Sequence, residues 1–569
     1  MSEDPKDDGL ISVFIDDEEV RCKAGTNLVD LVASIGQEIP HYCYHPKLSV
    51  SGNCRMCLIE LGMPGRDRAT GEAMLNEDGT PKIMFFPNPA IACGTKAGPG
   101  MHVRTKSDMV KKCREGVMEF LLINHPLDCP ICDQAGECKL QEFSTDYGKG
   151  YSRFVEQKVV KPKRTVLGPR VMLDDERCVL CSRCIRFSKE IADDDVLGFV
   201  ERGSYSTLTC YPGKQLENNY SLNTVDICPV GALTSRDFRF KMRVWFLKAT
   251  PSICTESSVG VNTLVASREG KIYRITPRRN DEVNDTWMSD SGRVLYQEVE
   301  DENRITEYSS KGAFSPADAA HLQIHKYLES EKIAFVGSGS SSVEELYLFN
   351  RLSRATQSVG NYLVAHTQEG DELLISNDAN SNTRGALSVG FVENLPEARL
   401  IELGSRIDSG EIDTVVVYNE DLAEAGITEE QFGKVDIVYF GTTSNATSKV
   451  ASLVVPTLTV FEKAGTFVNQ QFRLQKFLEA VPGSEDVVDD LVSLSQLLNH
   501  VEPDTGSLET VEAVWAELSK EASLFEGHSF GALSPEGVQL DGSTFKHLPF
   551  CEGKTLHYEP AAETVEVEA

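Results

Sequence analysis

Eleven of the sixteen cysteines fall in three groups between Cys43 and Cys228, and beyond Cys254 the only cysteine is Cys551. In a long chain whose acidic start, Met1 to Gly9, resembles neither a secretory signal nor an Arg-rich presequence, closely spaced cysteines read as metal ligands rather than disulfides. The chain therefore reads as a metal-rich front joined to a metal-poor back. Its 569 residues are too many for one hydrophobic core, and a prior of ~100–200 residues per domain suggests several.

The first group is Cys43, Cys54, Cys57 and Cys93, spaced C-x10-C-x2-C-x35-C. Before it, Ile11–Ile15 and Val20–Lys23 read as short strands around an acidic turn. Asn27–Ile35 reads as a helix with Leu28, Leu31 and Val32 on one face. Gly100–Thr105 would supply a closing strand. Two loop ligands, a tight C-x2-C and a distant fourth cysteine match a plant-type [2Fe–2S] arrangement with a longer first gap. Gly52 in the Ser51–Cys57 loop lets backbone N–H groups approach anionic sulfur. Four thiolates also suit zinc, and the β-rich segment before Cys43 favours the ferredoxin. Cys22, on a strand outside the pattern, reads as core.

The second group follows a segment, Arg114–Asn124, that reads as a helix with Val117, Phe120 and Leu121 on one face, ended by Pro126. His125, Cys129, Cys132 and Cys138 then give H-x3-C-x2-C-x5-C. One imidazole and three thiolates can hold zinc or a [4Fe–4S] cluster, and a histidine after a helix can also be a simple cap. The third group, Cys178, Cys181 and Cys184 with a remote Cys228-Pro229, follows the bacterial ferredoxin pattern for one [4Fe–4S] cluster. Cys210 is a rival fourth ligand, and Arg183 and Arg186 could offset cluster charge.

The string His125-Pro-Leu-Asp-Cys-Pro-Ile-Cys-Asp-Gln-Ala-Gly-Glu-Cys138, with the other two signatures in order over residues 10–245, resembles the large iron–sulfur subunit family of respiratory complex I, the 75-kDa/NuoG family. The resemblance implies a multidomain α+β and α/β chain. Its expected parts are a [2Fe–2S] plant-type ferredoxin-like domain (10–98), a His/Cys3 [4Fe–4S] domain (99–165) and a [4Fe–4S] ferredoxin-like domain (166–245). A degenerate cluster domain (246–310), a shortened molybdopterin-oxidoreductase-like α/β scaffold (311–550) and an acidic, mobile tail (551–569) follow. It implies one [2Fe–2S] and two [4Fe–4S] clusters on the twelve residues of the three groups. It also implies an electron relay within NADH:quinone oxidoreductase, with no catalytic residue and no further cofactor site on this chain. The implied partners are a flavin-bearing NADH-oxidising subunit, a ferredoxin-like [4Fe–4S] subunit and other peripheral-arm subunits. The implied location is the bacterial cytoplasm, at the inner membrane's cytoplasmic face. The rivals are a molybdenum formate dehydrogenase and the diaphorase part of an NAD-reducing hydrogenase. Between residues 255 and 550 there is no cysteine to hold molybdenum, and the hydrogenase relative resembles only the front.

Some members of this family carry a fourth [4Fe–4S] cluster with the spacing C-x2-C-x3-C-x27-C. Here those positions are Cys254, Ser257, Val261 and Ser289, so no fourth cluster is expected. Further on, Lys332–Gly337, Thr414–Tyr418 and Ile437–Phe440 read as buried strands alternating with helices such as Val343–Thr356, which implies a mostly parallel sheet. Gly337-Ser-Gly339 lacks a full G-x-G-x-x-G and reads as a turn more readily than as a phosphate loop. Glu462–Asn469 and Arg473–Gln475 resemble a stretch shared with molybdopterin oxidoreductases. Phe472 stands where glycine is usual there, and no molybdopterin is expected. The net charge of −31 makes nucleic acid and anionic lipid unattractive partners. No apolar run reaches ~18 residues, so a membrane would be met only through partners.

Overall fold

The computed structural model describes residues 9–67, 70–550 and 552–560. The chain forms two compact units that divide after Trp245.

The first unit opens on a sheet of β1 (Leu10–Ile15), β2 (Glu18–Lys23), β3 (Leu58–Pro64), β4 (Ile83–Phe85), β5 (Ala90–Ile91) and β6 (Met101–Arg104). The order is β2-β1-β6-β3-β4, with β5 on β3 and only β1–β6 parallel. The turn between β1 and β2 is tight because Asp16 and Asp17 both take positive φ. Helix α1 (Leu28–Ser34) starts where the Asn27 side chain accepts from Val29 N–H, and it buries Leu28, Val29, Leu31 and Val32.

Helix α2 covers Asp108–Ile123, starting a turn and a half before Arg114, because the Ser107 side chain accepts from Val110 N–H. Its buried positions are Val110, Arg114 and Met118, while Phe120 is 76% exposed. The expected apolar face is thus displaced: Arg114 lies in the buried stripe, its guanidinium 5.1 Å from the Tyr147 ring centre. Lys158 Nζ ends the helix by donating to Leu122 O and Ile123 O at 2.8 and 2.7 Å.

Helix α3 (Lys139–Tyr147) packs on α2. Short strands β7 (Thr165–Val166), β8 (Val171–Leu173), β9 (Leu197–Val200), β10 (Thr207–Cys210) and β11 (Leu233–Ser235) frame α4 (Arg183–Glu190) and α5 (Asn223–Asp226) in two small antiparallel sheets.

The second unit begins with an antiparallel sheet of β12 (Lys248–Ile253), β13 (Asn262–Arg268) and β14 (Lys271–Pro277). Among the described residues, its main sheet has seven strands. It includes β15 (Ser309–Ser310), β16 (Ala313–Phe314), β17 (Ile333–Gly337), β18 (Gly360–Leu363), β19 (Thr414–Tyr418), β20 (Asp436–Gly441) and β21 (Leu453–Pro456), in the order β16-β15-β21-β20-β19-β17-β18. Strands β17 to β21 pair in parallel, and β17 and β19 are buried along their whole length, as uninterrupted apolar runs require.

The helix Val343–Ala355 buries ten residues between this sheet and the helices Asp490–Val501 and Val511–Glu521. Within it, buried Glu344 accepts from Thr466 N and Oγ1 and from Trp515 Nε1, so its carboxylate is fully hydrogen-bonded. Part of the segment expected as a mobile acidic tail is packed. Glu552 is buried against Arg384, and Leu556 N donates to Leu373 O at 2.9 Å. Cys551 and residues 561–569 lie outside the described residues.

Candidate metal centres

The four cysteines of the first set arrive on three separate segments. Cys43 lies beyond α1, Cys54 and Cys57 lie on the loop entering β3, and Cys93 sits in a single turn after β5. Cys43, Cys57 and Cys93 are buried. Cys43 is hydrogen-bonded to Cys54 and Cys93, and Cys57 to Cys93. These bonds pull the Cys43 and Cys57 thiols below their ordinary value, Cys57 to about 7, and hold Cys54 and Cys93 above it. The backbone is shaped for close approach. Gly52 has φ 65°, and a Cβ there would lie 2.9 Å from Ile91 Cδ1. Two neighbouring thiol pairs, Cys43 with Cys54 and Cys57 with Cys93, suit a two-iron cluster with one pair on each iron.

In the second set, His125 follows the last residues of α2, Cys129 opens a single turn, Cys132 closes it, and Cys138 precedes α3. Burial, helped by the Arg177 and Lys158 charges, lowers His125 to about 4, so the imidazole is neutral at pH 7 with a lone pair to offer. Burial raises the Cys132 and Cys138 thiols, while Cys129 is exposed. A Cβ on Gly231 would run into Cys132 Sγ, so this position, three residues after Cys228, requires glycine. Arg243 donates to the Cys132 and Pro130 carbonyls, fixing the ligand loop.

The third set winds Cys178, Cys181 and Cys184 around a short loop in which Leu180 and Ser182 take positive φ (54° and 61°), with Cys228 just beyond α5. The four thiols lie close enough to perturb one another, and burial raises each, Cys181 to about 11. Cys210 stands apart on β10, its Sγ 3.4 Å from Leu167 O. Four thiols crowded in an apolar pocket cannot ionise together without cations among them, which is what a cubane provides. In number and kind of donor all three sets suit iron–sulfur clusters; the first and third are largely enclosed, whereas Cys129 of the second is exposed.

Cys43 and Cys54 of the first set share a hydrophobic core with the third set, while Cys57 and Cys93 lie in the neighbouring core of the first sheet. Tyr42, Cys43 and Met56 pack with Phe143, Leu173, Cys181 and Cys184, and Tyr42 OH donates to Met118 Sδ. Spacing patterns do not reveal these junctions. The ion pair of Arg177 with Asp128 joins residues that each precede a cysteine of a different set.

In the second unit, Cys254, Ser257, Val261 and Ser289 are all buried. Burial pushes the Cys254 thiol up to about 12. Ser289 Oγ donates to the Glu256 carboxylate and accepts from Gly292 N at 3.2 Å. Cys254 N donates to Val261 O at 2.8 Å. The Gly337–Gly339 turn is filled, since a Cβ at Gly339 would lie 2.5 Å from the Asn380 side chain. The following helix start is closed by Ser342 and Glu345 in a capping box, so a phosphate would meet a carboxylate there. Phe472 keeps a left-handed φ of 59°, the conformation glycine adopts freely. Its ring stacks on Phe545 beside Arg384, filling space that a glycine would leave open.

Residues 9–108 match the 2Fe-2S iron-sulfur cluster binding domain family. Residues 114–153 match the NADH-ubiquinone oxidoreductase-G iron-sulfur binding region, and residues 168–234 the ferredoxin-like domain of NADH-quinone oxidoreductase subunit 3. Residues 247–297 match the NDSU1/NuoG-like 4Fe-4S domain of NADH-ubiquinone oxidoreductase. An NADH-quinone oxidoreductase subunit of Rickettsia conorii is 38% identical over 362 residues, covering 62% of this chain and 50% of that protein. The mitochondrial NADH dehydrogenase [ubiquinone] iron-sulfur protein 1 of Solanum tuberosum is 40% identical over 350 residues, covering 60% and 44%. The NADH-ubiquinone oxidoreductase 75 kDa subunit of Reclinomonas americana is 35% identical over 408 residues, covering 69% and 55%. The chain thus spans about half the length of the curated relatives it matches. A chain of an NAD+-reducing [NiFe]-hydrogenase matches 41% of this chain at 26% identity, with a TM-score of 0.33. By its iron–sulfur domains and these homologues, the chain belongs to the NuoG/75-kDa family of NADH-quinone oxidoreductase subunits.

Proposed function

We propose that this chain is the iron–sulfur relay of the peripheral arm of an NADH:quinone oxidoreductase, passing electrons from a flavin-bearing subunit toward quinone. The observation that carries the reading is that the first-set cysteines neighbour one another, as do those of the third set, and that the second set's spacing falls within the same compact unit. Clusters bound there would supply one-electron centres whose potentials respond to charge and hydrogen bonding.

Cys43, Cys54, Cys57 and Cys93 would hold one [2Fe–2S] cluster. His125, Cys129, Cys132 and Cys138 would hold one [4Fe–4S] cluster, and Cys178, Cys181, Cys184 and Cys228 another. The buried, hydrogen-bonded surroundings of the first and third sets would keep water from the sulfur atoms. The position of Cys254, Ser257, Val261 and Ser289 would hold no cluster, because one thiol and two hydroxyls cannot anchor a cubane.

The chain has no site of its own for NADH or quinone in this reading. It depends on a flavoprotein and a ferredoxin-like [4Fe–4S] subunit, and it sits at the cytoplasmic face of a bacterial inner membrane through them. Its acidity favours basic patches on those partners and docking that weakens with salt.

The test is anaerobic purification with its partners, followed by spectroscopy during stepwise reduction. Three reducible centres in a chain that does not oxidise NADH alone support the reading. NADH oxidation by the isolated chain would overturn it.

A further inference from the structure

Two arginines stand one residue ahead of third-set cysteines, Arg177 before Cys178 and Arg183 before Cys184, and their electrical surroundings differ. Arg177 is buried among carboxylates. Its guanidinium reaches Asp174 Oδ2 at 3.0 Å and Asp128 Oδ2 at 3.2 Å, and Arg239 and Lys163 complete the group at 2.6 and 2.7 Å. With Glu176 on Lys163 at 3.0 Å, three carboxylates face three cations, so the charge near the second set is locally balanced.

Arg183 lies between the first and third sets. Its NH1 donates to Ile227 O, just before Cys228, at 3.2 Å, and its NH2 donates to Tyr44 O, just after Cys43. Its Nε is enclosed without a partner. Arg186, three residues further along α4, donates to Cys43 O at 2.5 Å, to Cys181 O at 3.3 Å, to Ser49 O and to Ser182 Oγ. Among the described residues, the hydrogen bonds of both guanidiniums go to carbonyl or hydroxyl oxygens. Glu190 on the same helix is instead held by Ser49.

We propose that Arg183, supported by Arg186, is a shared positioning residue: a fixed, uncompensated positive charge held between the first and third cluster sites that raises the reduction potentials of both together. This rests on the reading that those cysteines hold clusters. Reduction adds one electron to a cluster, and a nearby cation in a weakly screening interior stabilises the added charge. Because one charge serves both sites, it lifts their potentials in parallel and leaves the difference between them unchanged. The second site, where Arg177 is neutralised by carboxylates, is left largely unaffected.

The test uses the full chain with its clusters, reduced stepwise by dithionite as the electron donor while each centre is followed by paramagnetic resonance. Arg183→Met should lower the one-electron reduction constant of the binuclear and third-site centres by about tenfold, or roughly 59 mV each. The second-site potential should stay put, and Arg183→Lys should restore most of the shift. Intact clusters with unmoved potentials would overturn the proposal, as would an equal shift of all three. If Arg183→Met does not retain its clusters, Arg186→Met is read in the same way. It should give a smaller shift in the same two centres, and no shift in either overturns the proposal. A wild-type chain without clusters would refute the functional reading itself, which keeps the two failures distinct.

Discussion

The loop of Cys178 to Cys184 with Cys228, and the segment from Cys254 to Ser289, both match 4Fe–4S family domains, yet they close their pockets differently. In the first, four buried thiols perturb one another and the chain passes twice through left-handed backbone to aim them inward. In the second, the polar groups complete one another: Ser289 satisfies Glu256 and the Gly292 N–H, and Cys254 N–H meets the Val261 carbonyl. The same kind of spacing thus accompanies two different pockets. Hydrogen bonds hold the second pocket together where serine and valine occupy three of the four spaced positions.

The sharpest way to break this comparison is at the first pocket. Cys184→Ser should abolish the third-site centre and remove about four irons per chain, measured by iron analysis and paramagnetic resonance. Retention of that centre would mean Cys184 is not a ligand. The reverse change, Ser257→Cys with Val261→Cys and Ser289→Cys, should allow up to about four additional irons on anaerobic reconstitution. An unchanged iron content would show that the second pocket's hydrogen-bonded backbone no longer opens for a cubane.

Smaller effects test how the second pocket is held. Ser289→Ala removes the hydroxyl shared by Glu256 and Gly292 and should cost about 1–3 kcal/mol in a denaturant titration, without changing iron content. Cys254→Ala should leave iron content unchanged and alter stability least at neutral pH. Its effect should appear in alkali. The folded thiol keeps its proton to about pH 12, whereas the unfolded thiol loses it near 9. Stability should therefore fall as pH rises through that window, and the slope should be shallower in Cys254→Ala than in the wild type.

How far the sequence speaks depends on how local the physics is. The C-x2-C runs at Cys54, Cys129 and Cys178 are legible because metal ligation demands neighbours a few residues apart. The strand Thr414–Tyr418 is legible because an uninterrupted apolar run has nowhere to go but a buried sheet. The start of α2 is hard to read because its signal is one side chain, Ser107, and its buried face because Arg114 occupies a position that periodicity assigns to an apolar residue. Long-range pairs leave no trace in the sequence pattern. Arg384 with Glu552, and Arg177 with Asp128, become visible only when the chain is folded. Phe472 marks a departure from the pattern, but its glycine-like φ and its ring among Phe545 and Phe550 are properties of the structure alone.

The most direct test of the central claim is quantitative iron, sulfide and zinc analysis of anaerobically prepared full chain, with its reducible centres counted by paramagnetic resonance. The account predicts about ten irons per chain in one binuclear and two tetranuclear centres. About fourteen irons with a centre bounded by Cys254 and Ser289, or stoichiometric zinc in place of iron, would contradict it.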